Sequence, residues 1–231
     1  MKKLIVTLGA MAMATGVFAQ GYVTLGNSSS LLFSTNSATW ALPGQVQLNG
    51  TATVPSGYAA NTTVYLFAAL VSTYSGSVTT DTNVLDGAWT FTGLITSNNQ
   101  AAVAGRINAQ SGVGPMTGWG IGTTQNVVVV GWSASLATDW VGISNILETV
   151  VHGGNAPGAG GVFGVSTPGF EAAAAAAGPY PAIWSTAGPQ PYGNPIATGL
   201  MLYTLPVPEP ATLALAGLGG LSLLLFRRQR K

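Results

Sequence analysis

His152 is the single histidine of the chain, and so the one side chain poised to exchange a proton near neutral pH without a special environment. A serine hydrolase would need this imidazole beside a nucleophile on a sharp strand-to-helix turn, and no G-x-S-x-G segment occurs. Gly131-Trp132-Ser133 is the nearest local likeness and lacks the final glycine. The glycines that follow His152 read instead as a helix end, where a cation suits the helix dipole. The carboxylates between Gln20 and Leu205 are Asp81, Asp86, Asp139, Glu148 and Glu171. A glycosidase needs two of them facing one bond. Asp139 and Glu148 lie nine residues apart and do not share a helix face closely, while Asp81 and Asp86 fall in a turn-rich loop. No pair is favoured.

Asp81-Thr-Asn83-Val-Leu-Asp86-Gly87 offers oxygen ligands to a cation, but its acid and glycine fall one place late for an EF-type loop, and no acid closes it. Asp and Asn are also ordinary turn formers, which is the reading preferred here. Gly114-Pro-Met-Thr-Gly118-Trp-Gly120-Ile-Gly122 lacks both the lysine and the spacing of a phosphate cradle. The residues therefore predict no catalytic site, no metal and no cofactor, and the body is read as non-enzymatic.

The elements that would carry these side chains read as β structure. Gln45 to Leu48, part of Thr62 to Thr73, and Trp89 to Thr92 alternate polar and apolar residues. Gln125 to Trp132 (QNVVVVGW) is apolar on both faces, as a central strand of a packed sandwich requires. Ala197 to Leu205 reads as a final strand, and Gly112 to Gly118 and Gly153 to Gly161 read as loops. One helix is predicted after an N-cap at Thr138, with Trp140, Ile143, Leu147, Val150 and Val151 near helical spacing and a stop at Gly153-Gly154. A second short helix is predicted over Glu171 to Ala177. Trp89, Trp132 and Trp140 are assigned to the core; Trp119, Tyr180, Trp184 and Tyr192 fall in Gly/Pro-rich loops, where packing or a sugar-stacking surface would use them.

Charge is sparse and unevenly placed. Charged residues make up 6% of the 231, and cysteine is absent, so neither disulfides nor thiolate metal sites contribute. Six of the seven basic residues lie at the two ends, leaving Arg106 alone against five carboxylates between Gln20 and Leu205, a formal charge of −4. Such a body does not neutralise phosphates, which excludes nucleic-acid binding.

Both ends carry targeting features. Met1-Lys2-Lys3, the apolar stretch Leu4 to Ala14, and Val17-Phe18-Ala19 form a signal peptide with a predicted cut between Ala19 and Gln20. At the other end, Pro208-Glu209-Pro210 precedes an uncharged run from Ala211 to Phe226, followed by Arg227, Arg228, Arg230 and Lys231. As a helix that run spans roughly 24 Å. It is short for a bilayer, but arginines can snorkel and the bilayer can thin. The basic end belongs in the cytoplasm by the positive-inside rule. Triplet, apolar span and basic cluster in this order resemble the PEP-CTERM sorting signal of exported bacterial proteins, which implies recognition by an exosortase, a membrane protease.

The sequence thus predicts a signal peptide over 1–19, an exported domain over 20–206 and a sorting tail over 207–231 with a hydrophobic helix at 211–226. The domain is expected to be a single, mainly β, antiparallel sandwich-like unit with one or two short helices. It resembles the β-rich bodies of other PEP-CTERM proteins in pattern alone. Expected partners are signal peptidase and the secretion machinery, an exosortase, the membrane as a transient anchor, and extracellular polysaccharide. The favoured role is structural or adhesive, in the cell envelope, extracellular matrix or biofilm; the alternatives are a carbohydrate-binding module and a secreted hydrolase.

Overall fold

The computed structural model describes residues 20–41, 47, 49–55, 63–98, 104–108, 113–157, 161–175, 179–185 and 193–206. The predicted signal peptide, the sorting tail, Tyr192 and most of the alternating stretch at 45–48 lie outside them.

The strand pattern is strongest where apolar residues run without a break. β4 (Tyr65–Thr73) and β7 (Thr124–Ser133) pair antiparallel along their whole lengths, from Tyr65 opposite Ser133 to Thr73 opposite Gln125. Both are buried on two faces. Phe67, Ala69, Val71, Val127 and Val129 point into one core, and Ala68, Leu70, Val128, Val130 and Trp132 point into the other. At about 25 cal/mol per Å² of apolar surface, a strand pair clothed on both sides is the energetic centre of such a fold.

A nine-stranded sheet grows from this pair. β5 (Thr90–Ser97) joins the far edge of β4. On the far edge of β7, β8 (Val162–Val165) takes the Trp132 end and β9 (Gly169–Ala172) takes the Thr124 end. Beyond β8 come β11 (Met201–Thr204), β2 (Ser34–Thr39) and β3 (Ala52–Thr53), while β10 (Gly193–Asn194) lines β9. β11 runs parallel to β2, so the expectation of a wholly antiparallel arrangement is corrected at that seam. The predicted last strand is also shorter than Ala197 to Leu205.

A separate two-stranded sheet pairs β1 (Gln20–Thr24) with β6 (Val113–Gly120). β6 falls where a glycine-rich loop is predicted. Its register slips by a bulge, Gln20 facing Gly120 while Gly21 faces Met116, and Gly118 sits nearby at φ +77°. The bulge lets Met116 and Trp119, three residues apart, both enter the core beside Val23 and Leu25. Tyr22 bridges Ala174, just past β9, and a side chain on Gly21 would strike Ala173. The chain from Glu171 to Ala174 is therefore strand and bridge, and the predicted second helix is not formed among the described residues. Pairing with β7, β10 and β1 outweighs the helical propensity of the alanines.

The second core is covered by α1 (Trp140–Val151), which buries Ile143, Leu147 and Val150. Asp139, one residue past the predicted N-cap Thr138, does the capping: its carboxylate accepts the Gly142 N–H at 2.7 Å. The shorter reach of Asp139 to the first-turn donors, with the adjacent negative charge at the positive end of the helix dipole, accounts for the choice. His152 closes the helix and Gly153 follows at φ +83°, as the glycine pair predicts.

Candidate functional site

Each sequence candidate for chemistry has an identifiable local task. Asp139 is consumed as the helix cap. His152 is exposed at the end of α1, its Nδ1 2.7 Å from the Glu148 carbonyl oxygen and 3.7 Å from the Glu148 carboxylate. Ser133 Oγ accepts the Val162 N–H at 3.0 Å where β7 meets β8, and it shares no hydrogen bond with His152 among the described residues. The Asp81–Gly87 segment folds into successive turns. Asp81 accepts the Asn83 N–H at 2.7 Å, Asn83 the Leu85 N–H at 3.4 Å, and Asp86 the Ala88 N–H at 2.9 Å. These carboxylates face their own backbone, and no three His, Cys, Asp or Glu residues gather into a metal-binding group among the described residues.

Glu171 is the exception that the sequence reading missed. It lies on β9, fully buried, and neither carboxyl oxygen has a hydrogen-bond partner among the described residues. Burial pushes its pKa from 4.5 to about 7, because the ionised form is poorly solvated there. Its neighbour across the ladder is Gln125. The alternation of burial along β9, with Gly169 and Glu171 in and Phe170 and Ala172 half-exposed, turns the carboxyl inward. A single acid among apolar neighbours was hidden by the run of alanines that follows it.

The loop aromatics divide. Trp119 and Trp184 are buried, with indole N–H groups donating to Thr123 O at 2.8 Å and Thr198 O at 3.0 Å, so both belong to the core and not to a surface. Tyr180 stays half-exposed and stacks on Tyr22 of β1, ring centroids 5.7 Å apart. Tyr74 stacks on Phe170 at 4.7 Å, beside an open groove of about 560 Å³ lined by Ser72, Thr73, Ser75, Ser77 and Thr79. Asn126 pins that groove by accepting the Thr79 N–H and donating to the Thr73 carbonyl.

The C-terminal end of the body has the most definite geometry. β11 lies between β2 and β8. Past it, Leu205 is buried and donates its N–H to Gly161 O at 2.8 Å, and Pro206 O accepts the Ala156 N–H at 2.9 Å. From Pro206 the sequence continues directly into Val207-Pro208-Glu209-Pro210. Residues 206–231 match the family model of the PEP-CTERM protein-sorting motif. The chain carries a PEP-CTERM sorting signal. A PEP-CTERM signal indicates export, with an exosortase as processing partner and the cell envelope or its exterior as destination. No curated protein and no solved structure matches the chain. No helix of the described residues is long and apolar enough to cross a membrane, and the PEP-CTERM span at 211–226 lies outside them.

Proposed function

We propose that the chain is a structural or adhesive protein of the cell envelope or extracellular matrix, without enzymatic activity, delivered by its PEP-CTERM signal. The observation that carries the reading is the sorting motif at residues 206–231. In it, Pro208, Glu209 and Pro210 are the recognition and cutting segment, Ala211 to Phe226 is the transient anchor, and Arg227, Arg228, Arg230 and Lys231 hold the end in the cytoplasm. Signal peptidase cuts at Ala19–Gln20, which leaves β1 intact because the strand begins at Gln20. A body with two apolar cores, neither disulfide nor thiolate metal site, and its three aspartates used in a cap and turns is suited to persisting outside the cell as building material.

Mass spectrometry of the protein from a host with an exosortase tests the delivery. The mature chain should begin at Gln20 and end near Pro208–Pro210, and Glu209→Ala should accumulate the uncut precursor. A wild-type chain ending at Lys231 in that host would refute the processing. For the role itself, loss of the protein should weaken surface attachment or matrix cohesion, and adding back the His152→Ala form should restore it.

A carbohydrate-binding role is the second reading. The stacked, half-exposed Tyr22–Tyr180 pair and the hydroxyl-lined groove beside Tyr74 favour it, since sugars are recognised by aromatic faces together with hydroxyl and amide groups. Binding of the 20–206 body to extracellular polysaccharide that is lost in Tyr180→Ala would select this reading over scaffolding.

A further inference from the structure

The folded body holds the chain by hydrogen bonds up to Pro206, two residues before the Pro-Glu-Pro triplet. Thr204 O accepts the Trp40 N–H at 2.7 Å, Leu205 N–H donates to Gly161 O, and Pro206 O accepts from Ala156. Leu205 is 1% exposed and packs in the same core as Trp132, Leu147 and Val150. Only Val207 separates Pro206 from Pro208, and Glu209 is the third residue beyond Pro206. At 3.8 Å between consecutive Cα atoms, Glu209 lies within about 11 Å of Pro206 however the chain runs. Ala211, the first residue of the apolar span, follows Pro210 directly. The Pro-Glu-Pro segment therefore follows closely on a packed domain and runs directly into the uncharged stretch that begins at Ala211.

A protease accepts its substrate as an extended stretch on both sides of the cut bond. Here the upstream stretch is not free. We propose that exosortase processing of this protein is controlled by release of the β11 end: the folded chain is cut from the minority of molecules in which Leu205 and Pro206 have come away from Gly161 and Ala156. This rests on the sorting reading above. Local opening of a strand end is far less costly than global unfolding, and cleavage that requires it follows the population of the open form. Release of Thr204, Leu205 and Pro206 lengthens the free upstream chain by roughly 10 Å. The folded body thus acts as a brake on its own detachment from the membrane.

The test uses the full chain in a host with an exosortase, with conversion of precursor to mature form followed by pulse-chase. A flexible Gly/Ser insert of about eight residues between Pro206 and Val207 leaves the Pro208-Glu209-Pro210 triplet, the apolar run from Ala211 and the spacing between them unchanged. It should speed conversion by about tenfold or more, as should Leu205→Ala, in which the body still resists added protease. Conversion of the inserted chain at the wild-type rate or slower would overturn the proposal, while a Glu209-dependent cut in both chains would still uphold the sorting reading. If neither chain is converted, both fall.

Discussion

Glu171 on β9 stands directly across the ladder from Gln125 on β7, and its two carboxyl oxygens are buried without a hydrogen-bond partner among the described residues. An acid so placed is tolerated as the neutral form, and burial raises its pKa to about 7. The folded state then holds its proton more tightly than the unfolded chain. Stability is highest below the ordinary carboxylate range, near 4.5, and falls as pH rises toward 7. The difference corresponds to roughly 2–3 kcal/mol between pH 4.5 and pH 8. Glu171→Gln should flatten this dependence and stabilise the body at pH 8 by about 2 kcal/mol. Thermal melts of both forms at pH 5, 6.5 and 8 would check it; parallel curves would mean that Glu171 is solvated in the folded protein.

Trp132 is fully buried between the sheet and α1, with its indole N–H donating to Ala137 O at 2.8 Å. Truncation to alanine removes the filler of the second core and orphans that carbonyl. Denaturant titration should show a loss of about 3–5 kcal/mol. A loss below about 1 kcal/mol would place Trp132 outside the stabilising core.

Gly164 faces Gly131 in the β7–β8 ladder, and a Cβ there would fall against the Met201 carbonyl oxygen of β11. Backbone cannot yield as a flexible side chain does. Gly164→Ala should cost about 2–3 kcal/mol and loosen β11, seen as faster amide exchange over 201–206 than over β4. Uniform protection across both strands would contradict the close approach.

His152 has a largely exposed ring at the end of α1. His152→Ala should change stability by no more than about 0.5 kcal/mol. A defined hydrolytic activity in the wild type that disappears in a folded His152→Ala protein would refute the non-enzyme reading.

Sequence pattern located the parts of the fold whose burial is local and regular. β7 was legible because four successive valines leave neither face polar, and α1 because its apolar residues recur at helical spacing and glycines end it. The sorting tail was legible for another reason: its signal is a linear order of residue types. What pattern could not supply was pairing at a distance. β6 reads as a glycine loop until β1 lies beside it, and the bulge at Gly118 aims Met116 and Trp119 inward. Glu171 to Ala174 reads as helix until β7, β10 and Tyr22 claim its backbone. Trp184 reads as loop-borne in the sequence, yet its bridge to Ile196 carries it into the core. The inward Glu171 followed from the same misreading, since on a helix it would have had an exposed side to turn to.

The parallel seam between β11 and β2 has a bearing on the timing of export. Thr204 bonds to Asn36 across 168 positions of sequence, so β2 waits for almost the whole body before its inner neighbour arrives. Pairings of such separation are slow to form because loop closure precedes any gain in contacts. In a chain threaded outward from its N-terminus, the first strands reach the far side of the membrane long before β11 does. The open flank of β2 is then a nascent-state hazard, available to neighbouring nascent chains and chaperones alike. Arrival of the final strand closes that window.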